Sequence, residues 1–134
     1  MKNIKQYYKE VGKLVYLVAA ADGMVQEEER LVLHNFVMKE LAAMEHESDS
    51  SGMNKAFYVD FEFEKSESSP PDESEVLASF NRYIDANHEA GDEPLLEQTT
   101  HLLEKVANAY NHRREKNLIN AVKEKFSQIS DKEG

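Results

Sequence analysis

Cysteine is absent from the chain, which removes disulfide frameworks, thiolate zinc sites and thiol nucleophiles together and fits a reducing compartment. Positive charge is scarce. Sixteen Lys and Arg stand against 26 Asp and Glu, for a formal net charge of -10. Nucleic-acid affinity rests on counterion release by basic residues, so a surface this acidic argues against nucleic acid as a partner. It equally disfavours peripheral binding to anionic lipid. Long apolar runs are missing too. The longest, Leu14 to Ala21, falls far short of the ~20 residues that span a bilayer, so no membrane insertion is expected. The first residues run straight into helical periodicity without a signal-peptide core, and the expected location is cytoplasmic. The five glycines form no phosphate-cradling loop, and no serine sits in a nucleophile elbow. No His-x-x-x-His or His-Glu-x-x-His pair occurs among His34, His46, His88, His101 and His112.

What remains is a single domain of 134 residues, long enough to bury a core without disulfides or a metal. Its dominant signal is helical. Ile4, Tyr7, Tyr8, Val11, Leu14, Val15 and Val18 follow the i, i+3, i+4 ladder of a helix with one buried face. Asp22-Gly23 stops that helix, and a second runs from Gln26 to about Met44 with Val32, Leu33, Phe36, Val37, Leu41 and Met44 as its stripe. Asp72 with Glu75 opens a third helix to about Ala90. Pro94 suits the first turn of a fourth, to about Tyr110, and Asn111 precedes a last helix through Leu118, Ile119, Val122, Phe126 and Ile129. The spacing therefore predicts an all-α compact bundle of about five main helices.

A long acidic insert, residues 45–71, interrupts it. Over 45–75 ten carboxylates meet two lysines, and serines with Gly52 dominate the edges as in a connector. Inside, Phe57, Val59, Phe61 and Phe63 alternate with Tyr58, Asp60, Glu62 and Glu64, which predicts a short strand. Such a strand needs a partner: a hairpin through Gly52, the same segment of another copy, or an irregular course along the bundle.

The most specific stretch is Ala19 to Glu29. In the calcium helix-loop-helix, Asp then Gly are followed by an apolar residue and a chelating Glu, and Asp22, Gly23, Val25 and Glu29 stand in that register. The two earlier ligand positions hold Val18 and Ala20, so half the shell is missing. A ligand-free reading explains every residue as well. Gly23 caps the first helix, Val25 packs as a staple, and Glu29 reaches back to the amide of Gln26 as the third helical residue of a capping box.

The segment from Leu14 to Leu31 resembles the signature of the TerB-like (tellurite-resistance B) family, an apolar helix ending in Ala-x-Ala-Asp-Gly, then an apolar residue, then a Glu opening the next helix. Ala19, Ala21, Asp22, Gly23, Val25 and Glu29 match it. The resemblance implies an all-helical fold with a pseudo-repeated helix pair and acidic residues that bind metal ions. It also implies a link to tellurite resistance and stress response, often near membrane partners. A second helix pair joins at Gly91-Asp92, in an order that departs from Ala-Asp-Gly. If the pairs packed around a pseudo-twofold, Asp85, Glu89, Asp92 and Glu97 would complete a divalent-cation site begun by Asp22 and Glu29.

Glu97, His101 and Glu104 also share a helical face, which reads first as solvated surface. His112, Arg113, Arg114 and Lys116 form the one basic cluster. Two functions follow. One is a non-enzymatic TerB-like binding or scaffold module with a weak cation site at Asp22-Gly23, working through a protein partner, a homo-oligomer or peripheral association with a membrane protein. The other is a structural protein that self-associates through the Phe57–Glu64 strand without metal.

Overall fold

The computed structural model describes the backbone of residues 1–21, 23–109 and 116–133, and their side chains except Lys116 and residues 130–133. Asp22, Tyr110, Asn111 and the basic cluster at 112–114 lie outside the described residues. The chain is all-α, and among the described residues no strand forms beyond an isolated bridge.

Helix α1 (Ile4–Ala19) buries the whole ladder from Ile4 to Val18 that its spacing predicts. The helix ends at its C-cap Ala20, and Gly23, three residues on, turns the chain with φ +100°, its amide donating to Ala20 O at 2.8 Å. The chain then reverses into α2 (Glu27–Phe36), a π-helical turn (Val37–Leu41) and α3 (Ala42–Met44), one continuous helical arm. The arm returns along α1 until Tyr8 Oη donates to Glu45 Oε1 at 2.6 Å.

The structure corrects the next segment. Residues predicted as a strand are a 3₁₀ turn (Lys55–Phe57) leading into the helix α4 (Tyr58–Ser68). The alternating pattern is two i, i+4 pairs, Val59–Phe63 and Phe57–Phe61, on opposite faces of the helical segment. Offset by two residues, they mimic a period of two. Val59 and Phe63 are buried in the core while Phe61 faces out. The connector preceding α4 is also built rather than loose. Asn54 Nδ2 donates to Ala42 O and Glu45 O at 3.0 and 3.1 Å, and its Oδ1 accepts from Ala56 N at 2.9 Å. Asp49 accepts the amides of Ser51 and Met53 at 2.8 and 3.0 Å and the Tyr58 hydroxyl at 2.8 Å. These bonds hold the carboxyl of Asp49 below the usual carboxylate range, the Tyr58 bond foremost. Across Gly52 the chain forms one isolated antiparallel bridge, Ser48 to Asn54, which does not involve the Phe57–Glu64 segment.

Helix α5 (Glu73–Asn87) starts where Asp72 accepts the Glu75 amide at 3.1 Å. Helices α6 (Glu93–Asn108) and α7 (Lys116–Glu133) complete the bundle. Among the described residues the main helices are six, one beyond the about five expected, because the acidic segment supplies one. Helix α1 packs against α4, α5 and α6. In the first turn of α1, Tyr7 and Thr99 share a 2.5 Å hydrogen bond, and the Tyr7 ring meets Phe80 and Tyr83 at tilted angles. Burial drives the phenol of Tyr7 well above its usual titration range, so this contact stays neutral.

Candidate functional site

Glu29 is fully buried at the start of α2, and its Oε1 accepts the Gln26 amide at 2.7 Å. That is the capping role its spacing allows. Val25 packs, partly buried, against the core beside it.

The proposed completing ligands go elsewhere. Met1 is bound through its amino group to Asp92 Oδ1 at 2.6 Å and Glu89 Oε1 at 3.1 Å, beside the start of α1. The turn lies at the other end of this helix. Sixteen residues at ~1.5 Å rise put about 24 Å between the two ends, whereas oxygens around one calcium sit ~2.3–2.6 Å from it. Glu89 and Asp92 are therefore corrected as partners of the turn. Asp85 is paired with Lys125 at 2.6 Å, on α5, four residues before the Met1 contact region. Glu97, exposed on α6, lines a shallow depression of about 380 Å³ with His101 and Glu104, and Glu104 is paired with Lys123 at 2.7 Å. Among the described residues no group of three or more His, Asp or Glu is placed to hold a metal ion. The described side chains do not by themselves assemble the cation site that the TerB-like resemblance implies, and Asp22 lies outside them.

A different site stands out between α2 and α4. On α2, Glu27, Arg30, Leu31 and His34 share one face by i, i+3, i+4, i+7 spacing. On α4 and the turn before it, Phe57, Asp60, Phe61 and Glu64 do the same. The two faces border a groove of about 570 Å³ with Leu33 and Phe63 in its floor. Its apolar walls stay in contact with solvent, with Leu31 54%, Phe61 45% and Met53 37% exposed. Solitary exposed apolar residues need no explanation, but three from three segments around one concavity do.

Polar bridges span the groove. Arg30 Nε donates to Glu67 Oε1 at 3.3 Å, its Nη2 bonds Glu67 Oε2, and its Nη1 lies 3.5 Å from Glu27. The hydrogen bond to Glu67 raises the Arg30 guanidinium further above its ordinary value. His34 Nδ1 lies 3.4 Å from Asp60 Oδ2. Burial pushes the Asp60 carboxyl above its usual value, and His34 only partly offsets that rise.

No model of a known protein family, no characterised protein and no solved structure matches this chain. The groove therefore has to be interpreted from its own chemistry. It has apolar walls and a rim of charged side chains, Glu27, Arg30, Asp60, Glu64 and Glu67. The sequence pattern does not point to this groove, because Leu31 lies outside the stripe predicted for α2 and the alternation at Phe61 predicts a strand. The signal was present in the helical offset between Phe57 and Phe61.

Among the described residues, no helix is long and apolar enough to cross a membrane.

Proposed function

We propose that this chain is a non-enzymatic, TerB-like binding module that engages a protein partner through the groove between α2 and α4. The observation that carries this reading is the convergence of exposed Leu31, Met53 and Phe61 over a floor of buried Leu33 and Phe63. Apolar walls exclude water from a partner's side chains, and the surrounding carboxylates restrict which partners dock. The cytoplasmic, stress-linked role belongs to the same proposal and rests on the likeness of Leu14 to Leu31 to the TerB-like signature.

Strand-mediated self-association has lost its premise, since Tyr58–Ser68 is helical. The cation site is weakened by the capping role of Glu29. Amide-resolved NMR separates these readings in one sample. Titration with a neutral apolar fragment is expected to shift the amides of Leu31, Met53, Phe57 and Phe61 together. Shifts scattered over the surface would remove the groove from consideration. Calcium added to the same sample should leave Gly23 to Glu29 unmoved, and saturable shifts there would restore the metal reading.

A further inference from the structure

We infer that the occupant of this groove is a cationic amphipathic helix, with apolar residues at i, i+3 or i+4, and i+7 on one face and Lys or Arg along its flanks. The inference rests on the binding-module reading above and names the partner's chemistry. Its shape follows from the walls. Two helices border a concavity, the arrangement into which a third helix lays its ridge of side chains. Met38, one heptad beyond Leu31, is also exposed, and Met53 lies at the groove itself. Unbranched, polarisable methionine adapts to a docking helix with little strain.

The charge of the partner follows from the rim. Four carboxyl groups, Glu27, Asp60, Glu64 and Glu67, border the groove against one guanidinium, Arg30, with His34 as the other basic side chain. The chain as a whole carries -10. Basic flanks on a partner would meet Glu27 and Glu64 directly and could exchange with Arg30 for Glu67. Burial disfavours ionised Asp60 in the free protein, and a cation brought beside it would relieve that cost. A second copy of this chain is the poorer occupant. A twofold pairing of grooves would set the same four carboxylates against themselves, and like charges across an interface repel.

The test uses the full chain and a fluorescently labelled helical peptide of leucine and lysine with a single apolar stripe. Two counterparts keep that stripe and replace lysine by glutamine or by glutamate. Anisotropy at about 0.15 M ionic strength limits long-range attraction. The lysine peptide is expected to bind saturably at one site, and the glutamate peptide not at all. The paired substitutions Leu31→Ser and Phe61→Ser should weaken it by about tenfold or more. Glu27→Gln with Glu64→Gln should weaken it by a smaller factor, about three- to fivefold. All four positions are on the surface, and circular dichroism of each variant checks that the helices persist.

Equal binding of the glutamine or glutamate peptide would overturn the cationic partner while leaving the groove as a docking site. Lysine-peptide binding indifferent to Leu31→Ser and Phe61→Ser would overturn the inference, because attraction would then come from the acidic surface at large. Light scattering completes the design. A dimer that dissociates on Phe61→Ser would assign the groove to a second copy and overturn the inference as well.

Discussion

The two faces of α4 differ in what they do with similar residues. Inward, Val59 and Phe63 are sealed against α1, where Gly12 lets the backbones meet closely. Outward, Phe57 and Phe61 border an open groove among Asp60, Glu64 and Glu67. One face stabilises the fold and the other leaves apolar area uncovered, a division that a purely structural helix has no reason to keep. The comparison also reassigns the acidity of this segment. Its carboxylates cap turns on the approach, through Asp49, and then line one helical face, through Asp60, Glu64 and Glu67. They do not mark a solvated connector.

The contrast breaks most sharply on a pair of phenylalanines. Phe63→Ala removes a buried ring that packs edge-on against Tyr16 at 6.1 Å. It should cost about 3–5 kcal/mol. Phe61→Ala, on the half-exposed face, should cost under about 1 kcal/mol. Urea unfolding of both variants measures this, with unchanged m values confirming that the native state is compared like for like. Similar midpoints for the two would mean that the faces are not distinct.

Gly12 sharpens the inner face alone. A Cβ there would lie 2.6 Å from Val59 O and 2.8 Å from Glu62 Cβ, so the two helices must part to admit it. Alanine gains about 1 kcal/mol of helix propensity over glycine, against ~1–3 kcal/mol for overpacking a tight contact. A net loss of up to about 2 kcal/mol is expected for Gly12→Ala by thermal or urea unfolding. A net gain would show that α1 and α4 are not held at this spacing.

The sequence revealed the fold more fully than it revealed the site. Every position in the α1 ladder is buried as its spacing predicts, as are Leu118, Ile119, Val122, Phe126 and Ile129 in α7. Glu29 also took the capping role that its distance from Gln26 permits. These are local relations, set within one or two turns of helix. What failed was non-local. Whether Glu89 and Asp92 could reach the Asp22 turn depended on which end of α1 they met, and no spacing within either segment encodes that. The groove was missed for a different reason. Periodicity identifies the face a helix buries, so residues left exposed on purpose, Leu31 and Phe61, appear as noise in the pattern. In α4, with apolar residues on two faces, the noise was strong enough to imitate a strand.

The smallest expected effect concerns the outer face and depends on pH. Burial raises the folded-state pKa of Asp60 above its ordinary value of 3.8, and His34 offsets only part of the rise. A carboxyl raised in this way favours folding when protonated. Its contribution is fully present below the unfolded value near 3.8 and is lost as pH rises through the higher folded value. Asp60→Asn removes the ionisation while keeping the size of the side chain and a group able to hydrogen-bond His34. The variant should therefore melt slightly higher than the parent at neutral pH, and the difference should close at about pH 3, below both values. Calorimetric melting of both proteins across that range tests it. A variant that melts lower at neutral pH would mean that the His34 pair outweighs desolvation, and the outer face would then be as settled as the inner. The expected sign says the opposite. The groove holds a carboxylate that the free protein does not fully satisfy, on the face where a basic partner would meet it.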